Sequence, residues 1–313
     1  MMDRKQFFNA LQAFDTEYVN FAAFGHIIKE METALDLYRQ TGLVRNLLIT
    51  GESGCGKTSL ARSFQMSYPR EHLLEQTITP VLLVEVPSLG TIGALARAIL
   101  SALGDPYPEK GRVVDQTARI VVLLRSCKTQ MIILDEAQHV YDRGQRKTQY
   151  ATADWLKTLI NAIEIPVVLL GIPRLENLLQ VNVQLRRRFA APIELSLGSP
   201  DSLGFLDANF DVINALIPVL PLPLSLRATS AEDLTRRVYY ATDGRVGYLK
   251  RLLAAALEVA WENGESEIGV GALADAFTRI WRGGVSKLNP FSQEFVYRRL
   301  DRSGEPFAGD RQA

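Results

Sequence analysis

Two short stretches of the sequence carry residue types that can do chemistry together. The first is GESGCGKT at 51–58, which follows the apolar run NLLIT at 46–50 and fits the pattern G-x-x-x-x-G-K-[ST]. Glycines let the backbone curl so that several N–H groups converge on one point. A helix that begins near Lys57 adds the positive end of its dipole. The stretch therefore predicts a loop that cradles phosphate groups.

The loop residues have distinct expected roles. Lys57 is expected to reach the β- and γ-phosphates as a point charge, and Thr58 to bind Mg²⁺ through its hydroxyl. A glycine-rich turn without a ligand is the alternative, but the predicted strand before the loop and helix after it argue against this. The residues assigned to nucleotide binding here are Gly51, Glu52, Ser53, Gly54, Cys55, Gly56, Lys57, Thr58 and Ser59.

The second stretch is MIILDE at 131–136. Four apolar residues predict a buried strand, and Asp135 and Glu136 follow at its carboxyl end, where open α/β sheets bind ligands. Asp135 is expected to hold Mg²⁺ and Glu136 to polarise the water that attacks the γ-phosphate. Such an acidic pair also occurs at ordinary helix N-termini. Together with the loop, it predicts ATP and Mg²⁺ as cofactors and ATP hydrolysis as the reaction.

The surrounding pattern predicts an α/β sheet that positions both stretches. Predicted strands alternate with predicted helices, which indicates a parallel sheet with helices on both faces. After Gly198 the strands disappear, and several predicted helices indicate a smaller all-helical unit. The strands are expected at 46–50, 80–86, 131–134, 166–170 and 193–197, and the helices at 57–67, 91–103, 113–126, 155–163, 203–216, 230–241, 245–263 and 269–281.

The predicted domain boundaries follow these changes of pattern. They are an N-terminal helical segment at 1–45, an α/β nucleotide-binding core at 46–198, the helical unit at 199–284 and a mobile C-terminal tail at 285–313.

Bulk composition excludes several classes of protein. Lys and Arg total 35 and Asp and Glu total 35, so any basic surface for nucleic acid must be local. The two cysteines predict neither a disulfide framework nor a metal cluster. No apolar run is long enough to span a membrane, and the N-terminus lacks the pattern of a signal peptide. We expect a cytoplasmic protein with no membrane partner.

The order of the motifs resembles the TniB/TnsC family, AAA+ ATPases of bacterial transposons that are related more distantly to MuB. The resemblance runs from about residue 15 to 281 and is carried by GESGCGKT, MIILDEAQHVYDRGQRKT, ADWLKTLIN, IPVVLLGIPR, QLRRRF and GRVGYLKRLL. It implies an AAA+ core with a helical lid, and ATP bound between neighbouring copies in a ring or helical filament on double-stranded DNA. It also implies recruitment of a transposase, a target-selector partner of TniQ type, and disassembly on slow, regulatory hydrolysis.

The resemblance assigns a second catalytic group to QLRRRF at 184–189. Arg188, and after it Arg187, is expected to reach a neighbouring copy's γ-phosphate as an arginine finger. Arg186 is expected to serve packing or DNA. A solvated basic helix end remains the alternative for all three.

Two positions depart from the family pattern. Ile172 stands where a polar sensor residue is expected after the fourth strand, so Gln138 or His139 is a candidate for that role. Gly247 stands at the usual arginine of the lid motif G-x-x-R. Lys250 is therefore assigned to the nucleotide, with Arg251 as a second candidate; exposed helix charges are the alternative for both.

Two basic loops are candidates for DNA contact. They are expected to touch backbone phosphates without choosing a sequence, although a solvated charged loop explains either equally well. Their residues are Lys110 and Arg112 in YPEKGRV, and Arg143, Arg146, Lys147 and Thr148 in YDRGQRKTQY. A helicase-loader-like chaperone and an ATP-binding scaffold that acts through protein partners remain alternative functions.

Overall fold

The computed structural model describes residues 3–18, 21–88, 91–142, 146–198, 200, 202–225, 227, 229–281 and 288–308, without the side chains of 141, 142, 146–148 and 181. In chain order the elements are α1 (Arg4–Thr16), α2 (Ala22–Thr41), β1 (Leu47–Thr50), α3 (Lys57–Met66), β2 (Glu71–His72), β3 (Thr77–Ile78), β4 (Val81–Glu85), α4 (Ile92–Ala102), α5 (Val113–Ser126), β5 (Met131–Asp135), α6 (His139–Asp142), α7 (Arg146–Ile163), β6 (Val167–Gly171), α8 (Glu176–Val181), α9 (Val183–Arg186), β7 (Ile193–Glu194), α10 (Phe205–Leu216), α11 (Ala231–Thr242), α12 (Val246–Glu262) and α13 (Val270–Ile280), with 3₁₀ turns at Pro173–Leu175 and Ile217–Val219.

The chain divides into two compact units. The α/β unit consists of His26–Glu52 and Lys57–Leu195, and the helical unit consists of Met1–Gly25, Ser53–Gly56 and Ser196–Ala313. These units differ from the predicted domains in two ways. The N-terminal segment 1–45 is shared between them, with the division inside α2. The tip of the phosphate loop groups with the helical unit, although the loop follows β1 in the chain.

A five-stranded parallel sheet forms the centre of the α/β unit, in the order β4-β5-β6-β1-β7. Every residue of β1, β5 and β6 is buried, which explains why these strands read as unbroken apolar runs. Helices α3 and α4 pack against β4. The predicted parallel sheet flanked by helices is confirmed.

Some elements differ from the predicted pattern. The helix predicted at 155–163 begins at Arg146, and the strand predicted at 193–197 is paired only at Ile193–Glu194. The antiparallel hairpin β2–β3 was not predicted. Its strands have two residues each and bury neither face, so they leave no periodic apolar signal.

The helical unit contains α10 to α13 together with α1. Helices α12 and α13 pack along each other, and Phe7 of α1 stacks on Trp261 of α12 with ring centroids 4.6 Å apart. This contact explains why α1 groups with the later helices. Among the described residues, no helix is both long and apolar enough to cross a membrane.

The C-terminal segment 288–308 is packed into the helical unit. Leu300 and Phe307 are buried, and Arg299 forms an ion pair with the buried carboxylate of Asp243. Phe307 also contacts Trp281 edge-on at 5.3 Å. These contacts do not fit the expectation of a mobile tail over this segment. Its few apolar residues are separated by charged residues and turns, so no helical or strand period revealed them.

The packing of this segment predicts a stability loss on truncation of one side chain. Leu300→Ala should lower the free energy of unfolding by about 2–5 kcal/mol, because it removes buried methylene groups and leaves a cavity. Urea denaturation measures this change. The matched control is Leu203→Ala, whose leucine is fully exposed and whose change should stay within about 0.5 kcal/mol. Equal effects of the two variants would show that the segment adds nothing to the core.

Candidate nucleotide site

The phosphate loop connects β1 to α3 and depends on two glycines. Gly54 and Gly56 have φ angles of 81° and 97°, which L side chains rarely adopt. A Cβ atom at Gly56 would also lie 2.6 Å from Cζ of Phe24, a neighbour within the helical unit. Both glycines are therefore needed for the backbone to curl, as the sequence pattern predicts.

Lys57 begins α3 and has a buried side chain. Its ammonium donates hydrogen bonds to the backbone oxygens of Gly51 at 2.8 Å and Glu52 at 3.0 Å. The charge is thus held inside the curve of the loop. The role of Lys57 as a point charge for phosphate oxygens stays a prediction.

Thr58 and Asp135 lie 77 positions apart in the chain and meet at the carboxyl ends of β1 and β5. The Thr58 hydroxyl donates to Oδ2 of Asp135 at 2.6 Å. Oδ1 of Asp135 accepts from the backbone N–H of Glu136 at 2.9 Å. The structure therefore brings together the two residues that the sequence assigns to Mg²⁺.

Burial raises the pKa of the Asp135 carboxyl, against the hydrogen bonds from Thr58 and the Glu136 N–H, which lower it. The donor set around it consists of hydroxyl and carboxylate oxygens, which suits Mg²⁺. That ion keeps several waters and takes only one or two protein ligands beside phosphate oxygens. Among the described residues, no group of three or more metal-binding side chains is found.

Glu136 follows β5 in an unusual backbone conformation, with φ at 54°. Non-glycine residues adopt this region rarely. Its side chain is 34% exposed, so water can reach the carboxylate. Oε2 accepts a hydrogen bond from Nε2 of Gln138, and Nε2 of His139 lies 4.0 Å from the same oxygen. The carboxylate is thus both accessible and held.

The predicted arginines lie at the amino ends of the strands, opposite the carboxyl ends where Thr58 and Asp135 meet. The side-chain amide of Asn46, just before β1, donates to the backbone oxygen of Arg188 at 3.0 Å. Strands rise by roughly 3.3 Å per residue, so Asn46 and Gly51 are about 16 Å apart along β1. Arg187 and Arg188 therefore lie far from the Lys57, Thr58 and Asp135 of their own chain.

Arg187 and Arg188 line a cavity of about 1440 Å³ at the amino ends of the strands. Among the described residues, five cationic side chains and one acidic side chain, Glu164, line this cavity; the other cations are Arg39, Arg125 and Lys128. Arg186 faces elsewhere, on a smaller cavity of about 320 Å³ that Glu176 also lines. The three consecutive arginines thus have different surroundings.

A family model described as "Bacterial TniB protein" matches residues 10–196, more than half of the 313 residues. The chain belongs to the TniB family. The predicted family is thereby confirmed on the part of the chain that holds the loop, both acidic residues and the three arginines. No curated protein matches the sequence.

Solved structures similar to this TniB-family protein show its fold. The ORC2 protein of Aeropyrum pernix, in ADPNP–ADP complexes, is 14% identical with a TM-score of 0.63, covering 88% of this chain and 74% of its own. ORC1 of the same organism, in complex with DNA, is 16% identical with a TM-score of 0.61, covering 86% and 69%. A RuvB point mutant of Thermotoga maritima is 16% identical with a TM-score of 0.52, covering 85% and 72%. These proteins are AAA+ ATPases, so the TniB-family chain has the AAA+ fold.

Lys250 has a contact other than the one expected from the sequence. Its ammonium donates to the backbone oxygens of Asp15 at 2.6 Å and Glu17 at 3.0 Å, at the C-terminal end of α1. Helix C-termini leave carbonyl groups without intrahelical donors, and Lys250 satisfies two such groups. Burial lowers the pKa of this lysine. Its assignment to the nucleotide stays a prediction, and the structure gives the ammonium a structural use.

The helical unit explains why the lid motif departs from the family pattern. The N–H of Gly247 donates to the backbone oxygen of Gly54 at 2.8 Å, and a Cβ atom at Gly247 would lie 3.0 Å from that oxygen. An arginine there would press against the loop. Sequence reasoning missed Arg245, which is buried, with its guanidinium 3.4 Å from the backbone oxygen of Ser53. The only signal was its place two residues before Gly247.

The candidate DNA contacts are described only in part. Lys110 lies over the ring of Tyr107 at 3.9 Å, and Arg112 lies 3.7 Å from Asp115 with its side chain 91% exposed. The second segment was predicted to be a loop, but residues 146–150 begin α7. Arg143 lies outside the described residues, and so do the side chains of Arg146, Lys147 and Thr148. All six DNA assignments stay predictions.

The raised pKa of Asp135 predicts a change of stability with pH. At a pH between the pKa values of Asp135 in the unfolded and folded chain, the folded chain binds more protons than the unfolded chain. The free energy of unfolding therefore falls as the pH rises through this window. Asp135→Asn cannot ionise and should become more stable relative to the unchanged chain as the pH rises. The difference should level off below 3.8, the ordinary Asp value. Urea denaturation at several pH values tests this; a difference that is constant with pH would contradict it.

Proposed function

We propose that this TniB-family protein is an ATPase that assembles on double-stranded DNA with ATP and regulates transposition. The observation that carries the proposal is the meeting of Lys57, Thr58, Asp135 and Glu136 at the carboxyl edge of the sheet. Each has the side chain that nucleotide hydrolysis needs at that place. The AAA+ fold and the TniB family agree with this reading.

The chain's own residues divide the work of hydrolysis. Lys57 neutralises charge on the phosphate oxygens, while Thr58 and Asp135 hold Mg²⁺, which supplies further neutralisation of the γ-phosphate when bound. Glu136 accepts a hydrogen bond from the attacking water and orients it. Water attacks the γ-phosphorus, the bond to the bridging oxygen breaks, and ADP leaves with the electron pair. The exposure of Glu136 leaves room for that water.

The location of the arginines supports self-association. Arg187 and Arg188 lie at the amino edge of the sheet, too far from the nucleotide site of their own copy. A second copy that presents its carboxyl edge to this edge would receive their charge at its γ-phosphate. Such a head-to-tail contact repeats as a closed ring or an open helical filament. The basic cavity suits an interface that accepts a phosphate.

Double-stranded DNA is the proposed template of this assembly. The basic segments at 107–113 and 141–150 supply cations for backbone phosphates. ORC1 of Aeropyrum pernix, a structural neighbour, was solved in complex with DNA. We further propose a transposase and a TniQ-type target selector as protein partners, a bacterial cytoplasmic location, and slow hydrolysis that ends the assembly. These last proposals rest on the family.

Electron microscopy of the protein with duplex DNA tests the assembly. We expect filaments or rings with ATP and Mg²⁺, none with Lys57→Ala, and persistent ones with Glu136→Gln, which binds ATP but hydrolyses it at least ~100-fold more slowly. Assembly that forms without DNA would favour the chaperone or scaffold alternatives. Equal assembly with and without nucleotide would refute the proposal.

Measurements of duplex affinity test the proposed DNA-binding residues. Duplex affinity should fall steeply with salt and should drop on the combined change Arg143→Ala, Arg146→Ala and Lys147→Ala. The control removes three exposed cations of the helical unit, by Arg4→Ala, Lys5→Ala and Arg227→Ala. An equal loss of duplex affinity in both triple variants would mean that the net charge of the protein, and not the position of Arg143, Arg146 and Lys147, determines DNA binding.

A mixing experiment tests the arginine across copies. Arg188→Ala keeps its own nucleotide site, and Lys57→Ala keeps its arginines, so each variant alone should hydrolyse ATP poorly. An equal mixture should restore part of the activity, because roughly a quarter of head-to-tail interfaces then join an intact site to an intact arginine. Steady-state ATPase assays with Arg187→Ala in parallel identify which arginine matters. Arg186→Ala, on the separate cavity, is the matched control, and absence of rescue would argue against a shared site.

A further inference from the structure

Gln138 lies two residues after Glu136 and is 3% exposed. Its side-chain amide contacts both neighbouring strand ends. Nε2 donates to the carboxylate of Glu136, and Oε1 accepts from the backbone N–H of Ile172 at 3.3 Å. A carboxylate only accepts and a backbone N–H only donates, so these partners fix which way the amide points. The amide therefore joins the carboxylate to the backbone just beyond β6.

The last residue of β6 leaves space for this amide. A Cβ atom at Gly171 would lie 2.6 Å from Oε1 of Gln138, so any larger residue would displace it. The backbones beside it are tied as well, because Ala137 N–H donates to the Leu170 oxygen at 2.8 Å. Gln138 is thus held by a fixed backbone on one side and reaches Glu136 on the other.

The surroundings of Glu136 show why a fixed partner matters. Its backbone has a positive φ and its side chain is one-third exposed, at 34%, so its own conformation does little to restrain the carboxylate. His139 is not an equivalent partner, because its Nε2 lies 4.0 Å from the carboxylate, beyond hydrogen-bond distance. Ile172 has no polar side chain to offer.

We propose that Gln138 is the positioning residue for Glu136 and takes the place of the polar side chain that Ile172 lacks. Its amide is held by the backbone just after β6 and restrains the Glu136 carboxylate, which orients the attacking water. The inference rests on the proposed function, since it names the partner of the proposed water activator. It assigns the role that the sequence left open between Gln138 and His139 to Gln138.

Gln138→Leu keeps the size of the side chain and removes both hydrogen bonds. We expect kcat for ATP hydrolysis to fall by about 10- to 100-fold, because small misplacements of a catalytic group have effects of this size. ATP affinity should change by no more than about threefold, since Gln138 is not assigned to the nucleotide. The matched control is Gln116→Leu, which alters another buried glutamine whose amide donates to the Pro108 oxygen at 3.2 Å. Its turnover should be unchanged.

A double-mutant cycle separates positioning from a general structural role. Adding Gln138→Leu to Glu136→Gln should cause no further loss of kcat, because Gln138 acts through the carboxylate that is already gone. Multiplied losses, or a normal kcat in Gln138→Leu, would overturn the inference. If the unchanged protein hydrolyses no ATP, the proposed function fails before any Gln138 variant is compared.

Gln138→Glu supplies a second readout if the leucine variant does not fold. A carboxylate at this position cannot donate to Glu136, and the two acids would share a proton. The acid limb of the pH–rate profile should therefore move to higher pH, a shift that a purely structural role would not produce. An unmoved acid limb would count against Gln138 as the partner of Glu136.

Discussion

All five strands of the sheet run in the same direction, so their carboxyl ends share one edge and their amino ends share the other. The phosphate loop after β1 and the acidic pair at the end of β5 meet at the first edge because of this. The segment that carries Arg187 and Arg188 returns to the second edge, next to Asn46. One constraint thus keeps a phosphate site and a cluster of cations apart within one copy. The proposed head-to-tail contact between copies rests on the same constraint.

Burial of Asp135 places a candidate metal ligand where its ionised form lowers the stability of the chain. The carboxylate is nearly inaccessible to water and is held by one hydroxyl and one backbone N–H. Burial favours its neutral form, whereas binding of a divalent cation needs the ionised one. The fold by itself therefore disfavours the ionised form of Asp135 that the proposed Mg²⁺ site requires. Active sites commonly trade stability for function in this way.

Close backbone approaches explain the departures from the family pattern better than a change of chemistry does. The N–H of Gly247 donates to the oxygen of Gly54, and a side chain at this position would crowd that oxygen. Gly171 leaves the space that Gln138 fills, so a polar group beside Glu136 comes from the segment after β5 and not from the segment after β6. In both places a missing side chain makes room for a backbone or amide contact.

The sequence by itself determined the central strands of the parallel sheet, the loop and the acidic pair, because buried parallel strands are unbroken apolar runs and phosphate loops need glycine. It also determined the family, from motifs such as LDEAQH and QLRRRF. Only the tertiary structure decided what depends on contacts between distant residues. Lys250 meets the end of α1, Leu300 and Phe307 are buried in a segment without periodicity, and Gln138 joins Glu136 to Ile172. No local period records such contacts, because the partners are brought together by packing and not by spacing along the chain.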